Sequence, residues 1–111
     1  MKDYKELLED WKNNSKTLMK ETPDEMKSFM ALHSQTMKKG ALDVKTKELL
    51  AIGAGVSSQC EWCIAIHVKN ALDVGATREE ILEAGWVTVM MGGGPKLMYM
   101  QGLLKALEDL S

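Results

Sequence analysis

Apolar residues recur at helical spacing along almost the whole chain, and no segment keeps the two-residue alternation of a half-buried strand. The first segment carries the i, i+3, i+4, i+7 stripe of an amphipathic helix, formed by Tyr4, Leu7, Leu8 and Trp11. The pattern predicts an all-α fold, a compact bundle of five to six helices, in which the first helix runs from Tyr4 to about Met19.

Capping and breaking residues place the next two helices. Thr22-Pro23-Asp24-Glu25 combines a capping-box pattern with proline at the first helical position, and Gly40 is placed to end the helix that begins there. Asp43 can cap a third helix from Val44 to about Val56. The predicted second and third helices are therefore joined by a short connection around Gly40.

The second half of the chain divides in the same way. Polar residues 57–59 leave room for a turn before a fourth helix, which Gly75 ends. Residues 77–80 form another capping-box pattern, and the Gly-Gly-Gly-Pro run at 92–95 separates the fifth helix from a last one that reaches the C-terminus. Because only a few residues join them, the third and fourth helices should form an antiparallel hairpin at the centre of the bundle.

Composition narrows the class of protein. A chain of 111 residues, 45% hydrophobic and 27% charged, is expected to fold as a single domain over residues 1–111. A formal net charge of −2 leaves no excess of lysine and arginine to neutralise phosphates, so nucleic acid is not an expected partner. The longest apolar stretch, residues 49–56, is too short for a membrane span, and the N-terminus lacks a secretory signal. The expected location is the cytoplasm, where a cysteine pair is more often catalytic or metal-binding than structural.

Two cysteines and a histidine lie within eight residues of the predicted fourth helix. With about 100° of rotation per residue, Cys60, Cys63 and His67 share one helical face, so both thiols and the imidazole point into the same volume. Glu48, twelve residues before Cys60, is a carboxylate in an otherwise apolar segment. These four residues form the candidate site.

The predicted hairpin brings the carboxylate to the imidazole. If the chain turns at residues 57–59, Glu48 lies roughly 13 Å back along one helix and His67 roughly 10 Å forward along the next, at about 1.5 Å per residue. The two side chains are then nearly level, and Cys63 lies one turn below His67. The spacing predicts an ordered chain from Glu48 through His67 to Cys63, with room for a water molecule between members. Cys60 and Cys63 have the Cα separation of about 5 to 6 Å that a reversible disulfide needs.

This set of side chains suits thiol chemistry. A thiolate, not a thiol, attacks disulfides and peroxides, and an ordinary cysteine is mostly protonated in the cytoplasm. The helix N-terminus favours the thiolate, while His67 can accept a proton and pass it towards Glu48. The second cysteine can then close a Cys60–Cys63 disulfide, which prevents further oxidation. The helix-terminus argument favours Cys60 as the first reactive sulfur and the relay argument favours Cys63, so the order stays open.

Other interpretations of these residues remain. The cysteines can be core residues, or they can ligate zinc together with His67 and Glu48. Three ligands on one helical face crowd a tetrahedral centre, so we expect no metal and no cofactor.

Two further features are assigned to packing. His33 has no companion motif, which favours a packing or surface role. An aromatic and methionine cluster in the last two helices favours core or subunit interface over a substrate pocket; its members are Trp86, Met90, Met91, Met98, Tyr99 and Met100.

The motifs together resemble the carboxymuconolactone decarboxylase superfamily, in particular its alkylhydroperoxidase D-like branch. The resemblance covers residues from about 25 to 105. It rests on the order Glu48, Cys60-x-x-Cys63, His67, and on flanking segments in the matching order, at residues 40–50, 75–81 and 93–95.

The resemblance implies an all-helical subunit that assembles into trimers or hexamers and has peroxidase or disulfide reductase activity. By the same analogy Cys63 is the peroxide-reactive sulfur, Cys60 the resolving one, and Glu48 and His67 the proton relay. The implied partners are a peroxide or disulfide substrate, an external dithiol reductant and further copies of this chain. Trp62 is a departure, since better studied members can have a histidine at that position of the Cys-x-x-Cys.

Two alternative functions stay open. A lyase of the decarboxylase type would use Glu48 and His67 as acid and base, with the cysteines incidental, although true decarboxylases of the superfamily generally lack the cysteine pair. A small oligomeric redox-sensing or binding module would change its affinity for a partner with the state of the cysteines, without turnover.

Overall fold

The computed structural model describes residues 2–111. Within them the chain forms six α-helices and no strand, so the all-α prediction is confirmed. The helices are α1 Tyr4–Glu21, α2 Pro23–Met37, α3 Val44–Ser57, α4 Glu61–Asp73, α5 Arg78–Gly92 and α6 Gly94–Leu110. No helix in this part of the chain is both long and apolar enough to cross a membrane.

Side-chain caps set the starts of α3 and α5. The Asp43 carboxylate accepts a hydrogen bond from the Thr46 amide at 2.7 Å. At α5 the Thr77 hydroxyl accepts from the Glu80 amide at 3.1 Å, and the Glu80 carboxylate accepts from the Thr77 amide at 2.9 Å, which completes a capping box. Both predicted starts are confirmed.

The bounds of α2 differ from the prediction. Thr22 makes no side-chain cap, because its hydroxyl donates to the Leu18 carbonyl at 2.8 Å at the end of α1. The predicted capping box at residues 22–25 is therefore wrong, although proline does take the first helical position. α2 ends at Met37, three residues before Gly40, because the chain becomes extended at the next residue.

α3 and α4 form the centre of the bundle. They run antiparallel, since Glu48 meets His67 at one end of the pair and Gly55 meets Cys63 towards the other. α5 packs on α3, α6 packs on α4 and α5, and α1 packs on α4. The predicted central hairpin is confirmed. α2 buries no residue fully and lies outside the core cluster, whose members are Tyr4, Leu7, Ile52, Val56, Ile64, Ala65, Val68, Ala71, Ala76, Ile81, Val89, Met100, Leu103, Ala106 and Leu107.

Tyr4 joins the beginning of the bundle to its last helix. Its amide donates to the Asp109 carboxylate at 2.9 Å, and Lys105 donates to the other oxygen of that carboxylate at 2.9 Å. The Tyr4 ring is fully buried, and its hydroxyl oxygen lies against Gly102, where a Cβ atom would stand only 2.5 Å away. Within the described residues this hydroxyl has no hydrogen-bond partner. Burial, and after it the charge of Glu61, raises the pKa of Tyr4 to about 12.

Candidate active site at the central hairpin

A carboxylate and an imidazole meet between the two central helices. Glu48 on α3 is only 4% exposed, and its Oε1 lies 2.7 Å from Nδ1 of His67 on α4. A carboxylate accepts hydrogen bonds and cannot donate them, so the hydrogen of this contact belongs to Nδ1. The contact therefore sets the tautomer of His67 and leaves its Nε2 free to exchange a proton with another group.

The two cysteines lie at the start of α4 and are joined by a disulfide, with their Cα atoms 5.3 Å apart. Cys60 is the N-cap residue of the helix, and its sulfur accepts a hydrogen bond from the Cys63 amide at 3.2 Å. Cys63 lies in the first turn, one turn before His67. When the disulfide is reduced, the unpaired amides and the dipole of this helix end favour a negative charge on the sulfurs.

Gly55 lets the two helices approach each other at the cysteines. The residue is buried, and a Cβ atom there would lie 3.3 Å from the Cβ of Cys63 and 3.4 Å from the side chain of Ile64. A side chain at this position would push α4 away from α3. The close approach therefore holds the disulfide and the Glu48–His67 pair on one tightly packed hairpin.

All four residues predicted for the site lie on this hairpin. The predicted approach of Glu48 to His67 is confirmed, and the contact is direct, without an intervening water molecule. The predicted Cα separation of the cysteines is also confirmed. One detail needs correction, since Cys60 precedes the helix as its cap and is not part of the first helical turn. The catalytic roles of the four residues stay predictions.

A fifth side chain, His33, reaches the same place from α2. Its ring centroid lies 6.4 Å from that of His67, and the two ring planes are 27° apart. The motifs in the sequence do not connect His33 with the site. One signal in the sequence could have done so, because His33 continues the helical stripe that begins with Met26 and Met30.

The disulfide can be approached from solvent. Both cysteines are partly exposed, and Trp62, which departs from the pattern of better studied relatives, is 48% exposed next to them in the chain.

The residues of the site do not form a metal cage. Over residues 2–111, no group of three or more histidine, cysteine, aspartate and glutamate side chains is arranged to hold a metal ion. Cys60 and Cys63 are bonded to each other, and Glu48 is bonded to His67.

Proteins of similar sequence and structure identify the family. Residues 23–106 match the carboxymuconolactone decarboxylase family, a segment that contains His33 and all four predicted site residues. The chain belongs to this family. The alkylhydroperoxidase D-like branch that the motifs resemble fits this assignment.

Family members with solved structures have the same fold. A carboxymuconolactone decarboxylase family protein from Legionella pneumophila, in its apo form, is 41% identical and has a TM-score of 0.94, over 97% of this chain and 96% of that one. A family protein from Thermotoga maritima, for which involvement in the antioxidative response is suggested, is 30% identical with a TM-score of 0.84, over 95% and 89% of the two chains. Uncharacterized protein 4 in the cox locus of Paracoccus denitrificans is 40% identical over 83 residues, 75% of each chain.

Proposed function

We propose that this family member is a thiol-dependent peroxidase or disulfide oxidoreductase that works through Cys60, Cys63, His67 and Glu48. The observation that carries the proposal is a disulfide at a helix N-terminus, one turn from a histidine that is bonded to a buried carboxylate. The suggested antioxidative involvement of the Thermotoga maritima relative agrees with it. The reaction would take place in the cytoplasm, where dithiol reductants are available.

In the proposed cycle, the reduced Cys63 passes its thiol proton to His67 and attacks the terminal oxygen of a hydroperoxide, ROOH. The O–O bond breaks, the sulfur is oxidised to a sulfenic acid, and the leaving alkoxide takes the proton from His67 to become the alcohol. Cys60 then attacks the sulfenic sulfur, and the hydroxyl group leaves as water with the Cys60 thiol proton. An external dithiol supplies two electrons and two protons, which return both cysteines to thiols.

Glu48 acts in this cycle through His67. Its hydrogen bond to Nδ1 orients the ring with Nε2 available, and its charge stabilises the imidazolium that forms when the thiol ionises. Burial of the carboxylate removes the competing water that would weaken the bond. Glu48 is therefore a positioning residue, and His67 is the proton carrier.

A single-turnover experiment tests the proposal. The reduced protein is freed of reductant and mixed with one equivalent of an organic hydroperoxide, and the product is read by mass spectrometry. The wild type is expected to consume the peroxide and form the Cys60–Cys63 disulfide. Cys60→Ser should stop at a sulfenic acid that dimedone traps on Cys63, while Cys63→Ser should consume no peroxide.

Matched variants separate the roles of the two sulfurs and the relay. A sulfenic acid on Cys60 in the Cys63→Ser protein would reverse their order. Peroxide consumption at the wild-type rate by a Cys60→Ser/Cys63→Ser double variant would contradict the proposal altogether.

Glu48→Gln keeps the size of the side chain and should slow alkylation of Cys63 by iodoacetamide at neutral pH. An unchanged rate would remove Glu48 from the mechanism.

We also propose that the chain assembles with copies of itself into a trimer or hexamer. An apolar cavity of about 360 Å³ lies between α5 and α6, and the following large side chains of these helices are more than half exposed: Trp86, Val87, Met90, Met91 and Met98. Apolar surface of this kind is typical of a protein interface. Light scattering at micromolar concentration should give the mass of the oligomer, and the mass of one chain would contradict the proposal.

A further inference from the structure

The inward side of α2 presents a single imidazole to the candidate site. Apart from the proline at its start, the partly buried residues of α2 follow the i, i+4, i+7, i+11 spacing of one helical stripe: Met26, Met30, His33 and Met37. On the outward side Phe29 and Leu32 are 64% and 61% exposed. The helix therefore turns a polar ring inwards while two large apolar side chains face solvent.

His33 is the one polar residue among the partly buried members of this stripe that follow the proline. An aliphatic side chain at position 33 would continue the methionine stripe without withdrawing part of a polar ring from water. The ring of His33 lies beside that of His67, at a centroid distance of 6.4 Å and with the two planes inclined by 27°. This distance lies within the range of interacting aromatic pairs.

α2 is tied to the segment of α3 that carries the buried carboxylate. Lys47, the residue before Glu48, donates from Nζ to the Thr36 carbonyl at 2.7 Å and to the Lys38 carbonyl at 2.6 Å. These carbonyls lie at the C-terminal end of α2, about one turn after His33. The end of α2 that follows His33 is therefore tied to α3 through the residue next to Glu48.

We infer that His33 is a positioning residue of the Glu48–His67 pair, whose ring stacks on the His67 imidazole and holds it in the orientation in which Nδ1 meets Glu48. The inference deepens the proposed function and depends on it only for the effect on the cysteines. α2 thus contributes to the site through this ring. Without the His33 ring, only the Glu48 bond holds the imidazole, so His67 should leave the carboxylate more often and exchange its Nδ1 proton with water faster.

NMR of the His67 side chain tests the inference without any turnover. The Nδ1 proton should be downfield and slow to exchange with water in the wild type. In His33→Ala its exchange should accelerate about two- to tenfold, the range expected for the loss of one aromatic pair. His33→Phe keeps a ring and should restore slow exchange. Met30→Ala, one turn earlier on the same stripe, is the matched control and should leave the exchange rate at the wild-type value.

A second measurement follows the consequence at the sulfur. Alkylation of reduced Cys63 by iodoacetamide should slow by a similar factor in His33→Ala and keep the wild-type rate in His33→Phe and Met30→Ala. Unchanged Nδ1 proton exchange in His33→Ala would overturn the inference. Exchange in His33→Phe as fast as in His33→Ala would also overturn it, because stacking would then not be what holds His67. If the exchange rates agree with the inference and the wild type consumes no peroxide, the positioning role stands and the peroxidase proposal fails.

Discussion

Tyr4→Phe is expected to stabilise the protein. The ring is fully buried, so both side chains bury the same apolar surface, and the substitution removes only a hydroxyl that has no hydrogen-bond partner in the described residues. With a pKa of about 12 the group is a protonated donor at neutral pH. Burying a hydroxyl without a partner costs about 1–3 kcal/mol. We expect the free energy of unfolding to rise by about 1 kcal/mol, which corresponds to roughly 4 °C in Tm for a chain of this size.

Urea unfolding and thermal unfolding, followed by circular dichroism, measure this change. Tyr99→Phe is the matched control, since that ring is only partly buried and lines the same cavity of about 240 Å³ next to Tyr4; its stability should change by less than about 0.5 kcal/mol. A loss of 1 kcal/mol or more in Tyr4→Phe alone would refute the reasoning, because it would show that the buried hydroxyl makes a hydrogen bond in solution.

Two further predictions concern packing and pH. Gly85→Ala should destabilise the protein by about 1–3 kcal/mol in urea unfolding, because a Cβ atom there would lie 2.6 Å from the sulfur of Met100 in the core. Gly94→Ala is the control, since nothing lies within 4 Å of a Cβ atom at that position. Equal losses of stability in the two variants would contradict the packing argument. The hydrogen bond from the Tyr4 amide, and after it the bond from a lysine one turn earlier, lowers the pKa of Asp109. The charged Asp109 carboxylate therefore stabilises the folded protein above the ordinary aspartate pKa of about 3.9, and this stabilisation is lost as the pH falls towards the lowered pKa. Asp109→Asn should make acid unfolding below that pH less steep when followed by circular dichroism, and an unchanged acid transition would argue against this role.

Much of the candidate site was predictable because it depends on residues that are close in the chain. The cap at Asp43 and the capping box at Thr77 are hydrogen bonds across three residues, which a local pattern specifies. The meeting of Glu48 and His67 follows from two helices of constant rise joined by a short turn. The Cys-x-x-Cys spacing sets the Cα separation of the disulfide in the same way.

The remaining features depend on how each helix ends and packs against its neighbours, which the motif patterns do not contain. Thr22 matches the capping-box pattern, but its hydroxyl donates to Leu18 because the preceding helix ends directly beside it. Trp86 continues an apolar helical pattern and is 53% exposed, although it lines the cavity between α5 and α6. The contact between the His33 and His67 rings requires that α2 lie against the α3–α4 hairpin. The spacing of residues in the sequence does not predict where α2 lies relative to that hairpin.

The sequence by itself therefore determined the helices, the hairpin and the four side chains that it brings together. Local hydrogen bonds and a constant helical rise are set by residues a few positions apart. The tertiary structure decided that His33 joins the site, that the Tyr4 hydroxyl is buried without a partner, and which apolar side chains face solvent. Those features depend on how whole helices lie against one another, and burial is a property of that arrangement and not of any one segment.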